Sequence, residues 1–384
     1  MSPGAAMSAR ILRLLGFEYF VRNLERSCGF NSQAMGFTEV GRSRPEHERE
    51  SGQCSRLFRA GDNFITCSAP LDVGGRAGRY LSRHPDGVGA LVFEVADARE
   101  ALAALEREGA TPTGELRTFS DDRGSNATFS IATPLGDVQF DFVERRGPSQ
   151  LVSGIEVYDI QRAPLDDPGF AKIDHVTANF RTMRPALLWL EHVMGWQPFW
   201  GVEFHTAGLG QENPAGSGLR SQVMWDPATG IKLACNEPLR PSFEKSQISL
   251  FCDDNRGDGI QHVALGVRSI LHAVRGLRGR GVQPMPAPAL YHRRLPEHLR
   301  RLGIEHIDEE LGALEELDIL VDGSGRDAYL LQVFLEEAAR VFGEPAAGPF
   351  FFELIERKGD AGFGAGNFKA LFDSVEGQQL ARTA

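Results

Sequence analysis

Stretches of alternating apolar and polar residues, interrupted by stretches of helical period, run through this chain twice in the same order. GFEYFVRNL (Gly16 to Leu24) aligns with KIDHVTANF (Lys172 to Phe180), each an apolar strand running into an asparagine. PDGVGALVFEVADAREALAALEREGA aligns with GDGIQHVALGVRSILHAVRGLRGRGV. Both read as a strand, a short turn and an amphipathic helix closed by Gly109 or Gly281. VQFDFVERRG (Val138 to Gly147) aligns with FFFELIERKG (Phe350 to Gly359), a strand entering a charged turn. The repeat predicts an α+β fold of two tandem βαβββ-type halves, at 14–147 and 171–384. The Gly-, Pro- and Asp-bearing stretch 148–170 reads as the linker. The second half carries an extra segment, Pro284 to Glu316, rich in Pro, Arg and Glu, which reads as an exposed helical insertion. After the last strand, Gly362, Gly364 and Gly366 lead into a helix from about Asn367, with Phe368, Leu371, Phe372 and Val375 at helical spacing.

The aligned halves differ where it matters chemically. The second half holds His175, His262 and Glu353 at positions the alignment pairs with Tyr19, Ala90 and Asp141. By period-2 alternation His262 shares a face with Ile260 and Ala264, and Glu353 with Phe351 and Ile355. A single buried histidine is ordinarily a satisfied core residue, but a carboxylate on an apolar strand face needs a partner. Two imidazoles and a carboxylate from three strands converge on one face of a metal and leave the other open, as in non-haem Fe(II) oxygenases. Of the remaining histidines, His47, His84, His292, His298 and His306 lie in charged or loop-like sequence, and His192 and His272 sit in predicted helices without a second His at i+4. Only His205 competes as a ligand.

Composition narrows the classes. At 384 residues, 42% apolar and 24% charged, the chain is a globular protein too long for one core. Its net charge of −11, with no basic run, argues against nucleic acid or an anionic membrane as partner. Five cysteines without CxxC spacing point to reduced thiols rather than a disulfide framework or zinc site. The N-terminus lacks a signal-peptide core and no stretch has the length of a membrane span, so a cytoplasmic protein is expected.

Several ordered stretches resemble the 4-hydroxyphenylpyruvate dioxygenase family: NEP at Asn236, KSQI at Lys245, GIQH at Gly259, LLQVF at Leu330, and FFELIERKGDAGFGAGNFKALF from Phe351. The likeness is dense from about Asp174 to the C-terminus and weak from Leu14 to Arg146. It implies the vicinal-oxygen-chelate fold, whose βαβββ modules form open β-barrels, here with a C-terminal helix over the second barrel. It also implies one Fe(II) per chain on His175, His262 and Glu353. The family's pocket positions fall on Ser221, Asn236, Gln247, Gln261 and Gln332, with an aromatic wall of Phe334, Phe363 and Phe368. Of these, Gln247, Gln332 and Asn236 carry the catalytic expectation. The implied reaction takes 4-hydroxyphenylpyruvate and O2 to homogentisate and CO2, the substrate bringing its own 2-oxo acid. A homo-oligomer is expected.

Strict alternation turns Gln261 away from the face that His262 occupies. Glu356, Ala234-Cys235 and Leu290 depart from the family pattern and bear on substrate choice. One alternative is a 4-hydroxymandelate synthase, which uses the same iron and substrate but typically has an apolar residue where Asn236 stands and Ile where Phe368 stands. An extradiol ring-cleaving enzyme would need a base near the metal, for which only His205 offers itself. A non-catalytic binding protein of the same fold would not hold stoichiometric iron.

Overall fold

Four βαβββ units, two in each half, account for nearly all the regular structure of the computed structural model. It describes residues 10–370 apart from 122–123, 148–153, 159–166, 206–217, 241–242, 244–245, 289, 365 and 368–369. The first unit is β1 (Ile11–Phe20), α1 (Leu24–Gly29), β2 (Thr38–Ser43), α2 (Pro45–Ser51), β3 (Gln53–Ala60) and β4 (Asn63–Pro70). Helix α3 (Arg76–Leu81) leads to the second: β5 (Gly87–Val95), α4 (Ala98–Arg107), β6 (Arg117–Asp121), β7 (Gly124–Ala132) and β8 (Gln139–Arg146). A short β9 (Ile155–Val157), inside the stretch read as linker, pairs with β2 at the sheet edge. The third unit is β10 (Phe170–Asn179), α5 (Arg184–His192), β11 (Gln197–His205), β12 (Gly218–Trp225) and β13 (Lys232–Leu239), followed by α6 (Gln247–Asp254). The fourth is β14 (Gly259–Val267), α7 (Ile270–Gly279), α8 (Tyr291–Leu302), α9 (Leu311–Glu316), β15 (Leu320–Gly323), β16 (Tyr329–Phe334), α10 (Ala338–Val341) and β17 (Phe351–Lys358).

Each half is one curled, open half-barrel sheet. The strand orders are β6-β7-β8-β5-β1-β4-β3-β2-β9 and β11-β12-β13-β10-β14-β17-β16-β15. In both, the opening strands of the two units pair antiparallel at the centre, and each pairs parallel with its unit's last strand. The halves meet through aromatic packing, Phe17 against Phe350 and Phe352, and Phe37 against Phe170. Asn63 ties them further, its carboxamide oxygen accepting from the Ile173 amide at 2.7 Å.

The repeat extends to how helices are fastened. Asp97 and Ser269 cap α4 and α7 with their side chains. Opposite each cap, a strand carboxylate accepts from the first helical amide: Glu144 from Ala98 at 3.0 Å, Glu356 from Ile270 at 2.7 Å. Glu356 therefore belongs to the outer face of β17, three residues and one face away from Glu353. Its departure from the family pattern is a helix anchor present in both halves, on the side of the strand away from Glu353.

Register corrects one element of the sequence alignment. His175 pairs with Ala264, whereas Gly16 pairs with Val92, the residue one strand over from Asp141. Opposite Glu18 and Thr177 the partner strands β5 and β14 each carry an extra residue, Gly89 or Gln261, so the register shifts at the same place in both halves. The counterpart of His175 is thus Gly16, not Tyr19. The slip came from matching Asn23 with Asn179: Asn23 caps α1, while Asn179 is still in its strand. In the first half β1 already lies on β4 at Gly16, where an added Cβ would sit 1.7 Å from the Phe64 carbonyl oxygen. In the second half, parallel pairing of β10 with β13 starts only at Val176. A side chain has room at 175 because the strands have parted there.

The segment from Pro284 to Glu316 is less exposed than its composition suggests. Leu295, Leu299 and Leu314 are buried, and Tyr291 reaches β15. Arg and Glu fill the outer face of two helices whose inner face is apolar. No helix among the described residues is long and apolar enough to cross a membrane.

Candidate metal centre

His175 on β10, His262 on β14 and Glu353 on β17 come together on three adjacent strands, all at most 2% exposed. Their ligand atoms lie within 4.8 Å of one another. Both imidazoles aim Nε2 at the same carboxylate oxygen, Oε2 of Glu353, at 3.4 Å from His175 and 3.3 Å from His262. The opposite ring nitrogens are engaged elsewhere: His175 Nδ1 with Asp174 Oδ1 at 3.0 Å and His262 Nδ1 with Gln261 Oε1 at 3.1 Å. Both partners accept, so Nδ1 carries a proton in each ring and Nε2 is the nitrogen left to face an ion, on His175 once its second proton has gone.

The electrostatics suit a cation. Burial raises the Glu353 carboxyl, yet the neighbouring His175 and His262 outweigh it and hold it down at about 2. Burial pulls His175 down, but Glu353 and Asp174 together push it up to about 8. His262, with no second carboxylate, is lowered by burial. The negative charge that retains a proton on His175 is what a divalent ion would meet in its place. Two neutral imidazoles and a carboxylate without sulfur are an apt donor set for Fe(II) or a similar borderline ion.

Behind each ligand stands a support. Gln332 on β16 donates Nε2 to Glu353 Oε1 at 2.7 Å, which leaves Oε2 facing the imidazoles. Asp174 is gripped by Arg357 through Nε at 2.6 Å and Nη2 at 2.7 Å. Arg357 Nη1 also donates to the carbonyls of Asp360 and Gly362, just before Phe363. Around the trio lie rings: Phe363 4.5 Å from His175, Phe351 stacked 4.9 Å from His262, and Phe334 6.2 Å from His262. Trp200 stacks on Phe363 at 5.7 Å.

On the same face of β10 as His175, Thr177 and Asn179 are fully buried. Asn179 accepts from Asn236 Nδ2 at 3.0 Å, and Asn236 lies opposite Ser221 across β12 and β13. Thr177 Oγ1, Asn179 Nδ2, Asn236 Oδ1 and Ser221 Oγ are buried with no hydrogen-bond partner among the described residues. Four such atoms in one barrel mark a place where polar groups of something else complete the bonding. Thr177 and Asn179 were missed in the sequence, although their alternation with His175 in HVTAN was the signal.

Of the remaining expected residues, Gln261 reaches His262 because a register shift in β14 falls beside it, so strict alternation does not hold there. Gln247 is buried in the first turn of α6, which packs on β13 and β10. Phe368 and residues 371–384, most of the expected C-terminal helix, lie outside the described residues. Gly366, Asn367 and Ala370 are helical, and Ala370 packs with Phe334 and Phe351. His205 ends edge strand β11, and its side chain is outside the described set. Of the two other departures, Ala234 is fully buried near Phe363 and Leu290 is exposed.

In the first half Asp141 takes the place of Glu353, and a guanidinium lies against it. Arg76 Nη1 is 3.5 Å from Asp141 and 3.3 Å from Glu18. Glu18 is largely but not fully buried and its carboxyl is raised, burial outweighing Arg76. Replacing Arg76 by Leu strands two carboxylates. We expect unfolding free energy to fall by about 2 kcal/mol in urea titrations, part of the cost being relieved by the pair's partial solvent access.

Residues 12–136 match the Glyoxalase/Bleomycin resistance protein/Dioxygenase superfamily. The chain is 35% identical over 309 residues to a 4-hydroxyphenylpyruvate dioxygenase of Dictyostelium discoideum, covering 79% of this chain and 80% of that one. It is 33% identical over 385 residues to the enzyme of the same description from Danio rerio, covering 97% and 92%. Among solved structures, a triple mutant of 4-hydroxymandelate synthase from Streptomyces coelicolor superposes with a TM-score of 0.78 at 22% identity, covering 96% of this chain and 99% of that one, which speaks to the fold.

Proposed function

The chain belongs to the 4-hydroxyphenylpyruvate dioxygenase family, and on that premise we propose that it converts 4-hydroxyphenylpyruvate and O2 to homogentisate and CO2. The observation that carries the reading is the convergence of two imidazole Nε2 atoms on one carboxylate oxygen, with every other donor and acceptor of the trio already engaged. Fe(II) is the proposed ion, one per chain, and when bound it would supply a site for the 2-oxo acid and dioxygen and a redox centre through which the 2-oxo acid and the ring give up their electrons to O2.

The protein's own part is to bind, orient and keep dry. Phe334, Phe351 and Phe363 close apolar surface around the ligands, which excludes water from the reacting region. The unpartnered atoms of Thr177, Asn179, Ser221 and Asn236 are neutral, so they suit a phenol or ketone without setting a charge beside it. We assign the phenol-orienting role to Asn236 and Ser221, with Gln247, Gln261 and Phe368 as further pocket residues.

The test is a product assay on protein loaded with Fe(II) and ascorbate, following oxygen uptake and separating the aromatic products. Homogentisate is expected. 4-Hydroxymandelate would keep the metal reading and overturn the role given to Asn236. No oxygen uptake by iron-loaded protein would overturn the substrate.

A further inference from the structure

Gln332 has a second neighbour, and it leads away from the metal centre. Its Oε1 accepts from Asn367 Nδ2 at 2.9 Å, and Asn367 Oδ1 lies 3.0 Å from the hydroxyl of Tyr291, the first residue of α8. Chemistry fixes the direction of every bond. Glu353, ionised at ordinary pH, only accepts, so Gln332 must offer it an N–H. The oxygen of that amide then faces Asn367, which must offer its own N–H, and Asn367 Oδ1 is left to accept from Tyr291. Tyr291 Oη receives the Val321 amide at 2.8 Å, and its single proton is shared between the Val321 carbonyl at 2.9 Å and Asn367. Of these groups only the phenol touches the segment that looked like an appendage to the second half.

The backbone at Asn367 is pinned independently. Asp322 Oδ2 on β15 accepts from the amides of Gly366 at 2.6 Å and Asn367 at 3.3 Å. Asn367 is fully buried, Gln332 is 3% exposed and Glu353 1%, so water does not compete for these bonds.

We propose that Tyr291 is a positioning residue for the metal carboxylate, acting through Asn367 and Gln332. It selects the amide orientation that holds Oε1 of Glu353 and so reserves Oε2 for the ion. Without the phenol proton, Asn367 is free to turn its amide over. Gln332 then loses its donor, and its amide is held from the Glu353 side alone. The proposal rests on the reading of the trio as a metal site.

The experiment is a double-substitution cycle read by Co(II) affinity, from the visible absorption of the ion and from calorimetry. The variants of the full-length protein are Tyr291→Phe, Asn367→Leu and both together. Each single change should weaken Co(II) by about tenfold, the range for groups that orient metal ligands. The double variant should be no weaker than the worse single one, because both cut the same chain. Asn367→Leu leaves the Val321 contact intact, so it reports on the chain even if Tyr291→Phe loosens α8. Factors that multiply in the double variant, or either single variant within twofold of the parent, would overturn the proposal. A parent protein that takes up no Co(II) or Fe(II) would overturn the metal reading itself, and the relay with it.

Discussion

Glu353→Gln is expected to weaken metal binding by at least about a hundredfold and to abolish homogentisate formation, while the metal-free fold is unchanged. The substitution keeps the shape and removes only the charge. Two consequences follow at once. The imidazoles lose the anion that both Nε2 atoms face, and the new amide brings N–H donors to where an ion needs lone pairs. His175, held up at about 8 mainly against burial by Glu353 and Asp174, gives up its proton more easily, so no buried positive charge is stranded. Metal content after reconstitution, oxygen uptake and far-ultraviolet circular dichroism check the three parts. A variant that still binds iron stoichiometrically would remove Glu353 from the ligand set.

The second large effect is structural. Arg357→Met should cost about 3 kcal/mol of unfolding free energy in the metal-free protein. Asp174 is largely buried, its side chain 12% exposed, and its carboxyl is held far below the ordinary range; burial opposes this, and Arg357 and His175 overcome it. Remove the guanidinium and a buried carboxylate keeps only the His175 contact. Because the native pKa of Asp174 is depressed, its contribution is present above the unfolded value, near 3.9, and disappears as pH falls toward the native one. The gap between parent and variant should therefore be flat above about pH 5 and narrow below about pH 4. Chemical denaturation at a series of pH values measures it. A gap that instead widens on acidification would mean that the pair is not what Arg357 contributes. The same variant frees the carbonyls of Asp360 and Gly362, so the approach of Phe363 to His175 should loosen with it.

The trio itself was legible because alternation is a local property. HVALG and FFELI each put one polar residue on an apolar face, and the repeat supplied the reason to read them together. What was not legible depended on registers between strands. The bulge beside Gln261 lets neighbouring residues serve one metal ligand, and no single strand announces it. The choice of Gly16 over Tyr19 needed the pairing with Val92, since an Asn in a helix cap and an Asn in a strand look alike in sequence. Arg76 was invisible for the same reason: the helix that carries it lies outside the stretches the sequence alignment pairs, and only folding brings its charge to Asp141. The polar outer face of α8 concealed Tyr291, whose importance lies in what its hydroxyl touches.

Strand β17 bears two carboxylates on opposite sides: Glu353 turned to the imidazoles, and Glu356 turned out to the first amide of α7. Its counterpart β8 keeps the outward member as Glu144 and has Asp141 for the inward one, beside a guanidinium. Ancestry and chemistry are thus written on separate sides of one ribbon. The outward glutamate preserves the joint between helix and sheet, so the inward position is free to be rewritten without dismantling the scaffold. This is how one copy of a duplicated unit has come to hold a salt bridge where the other holds the makings of a reactive centre.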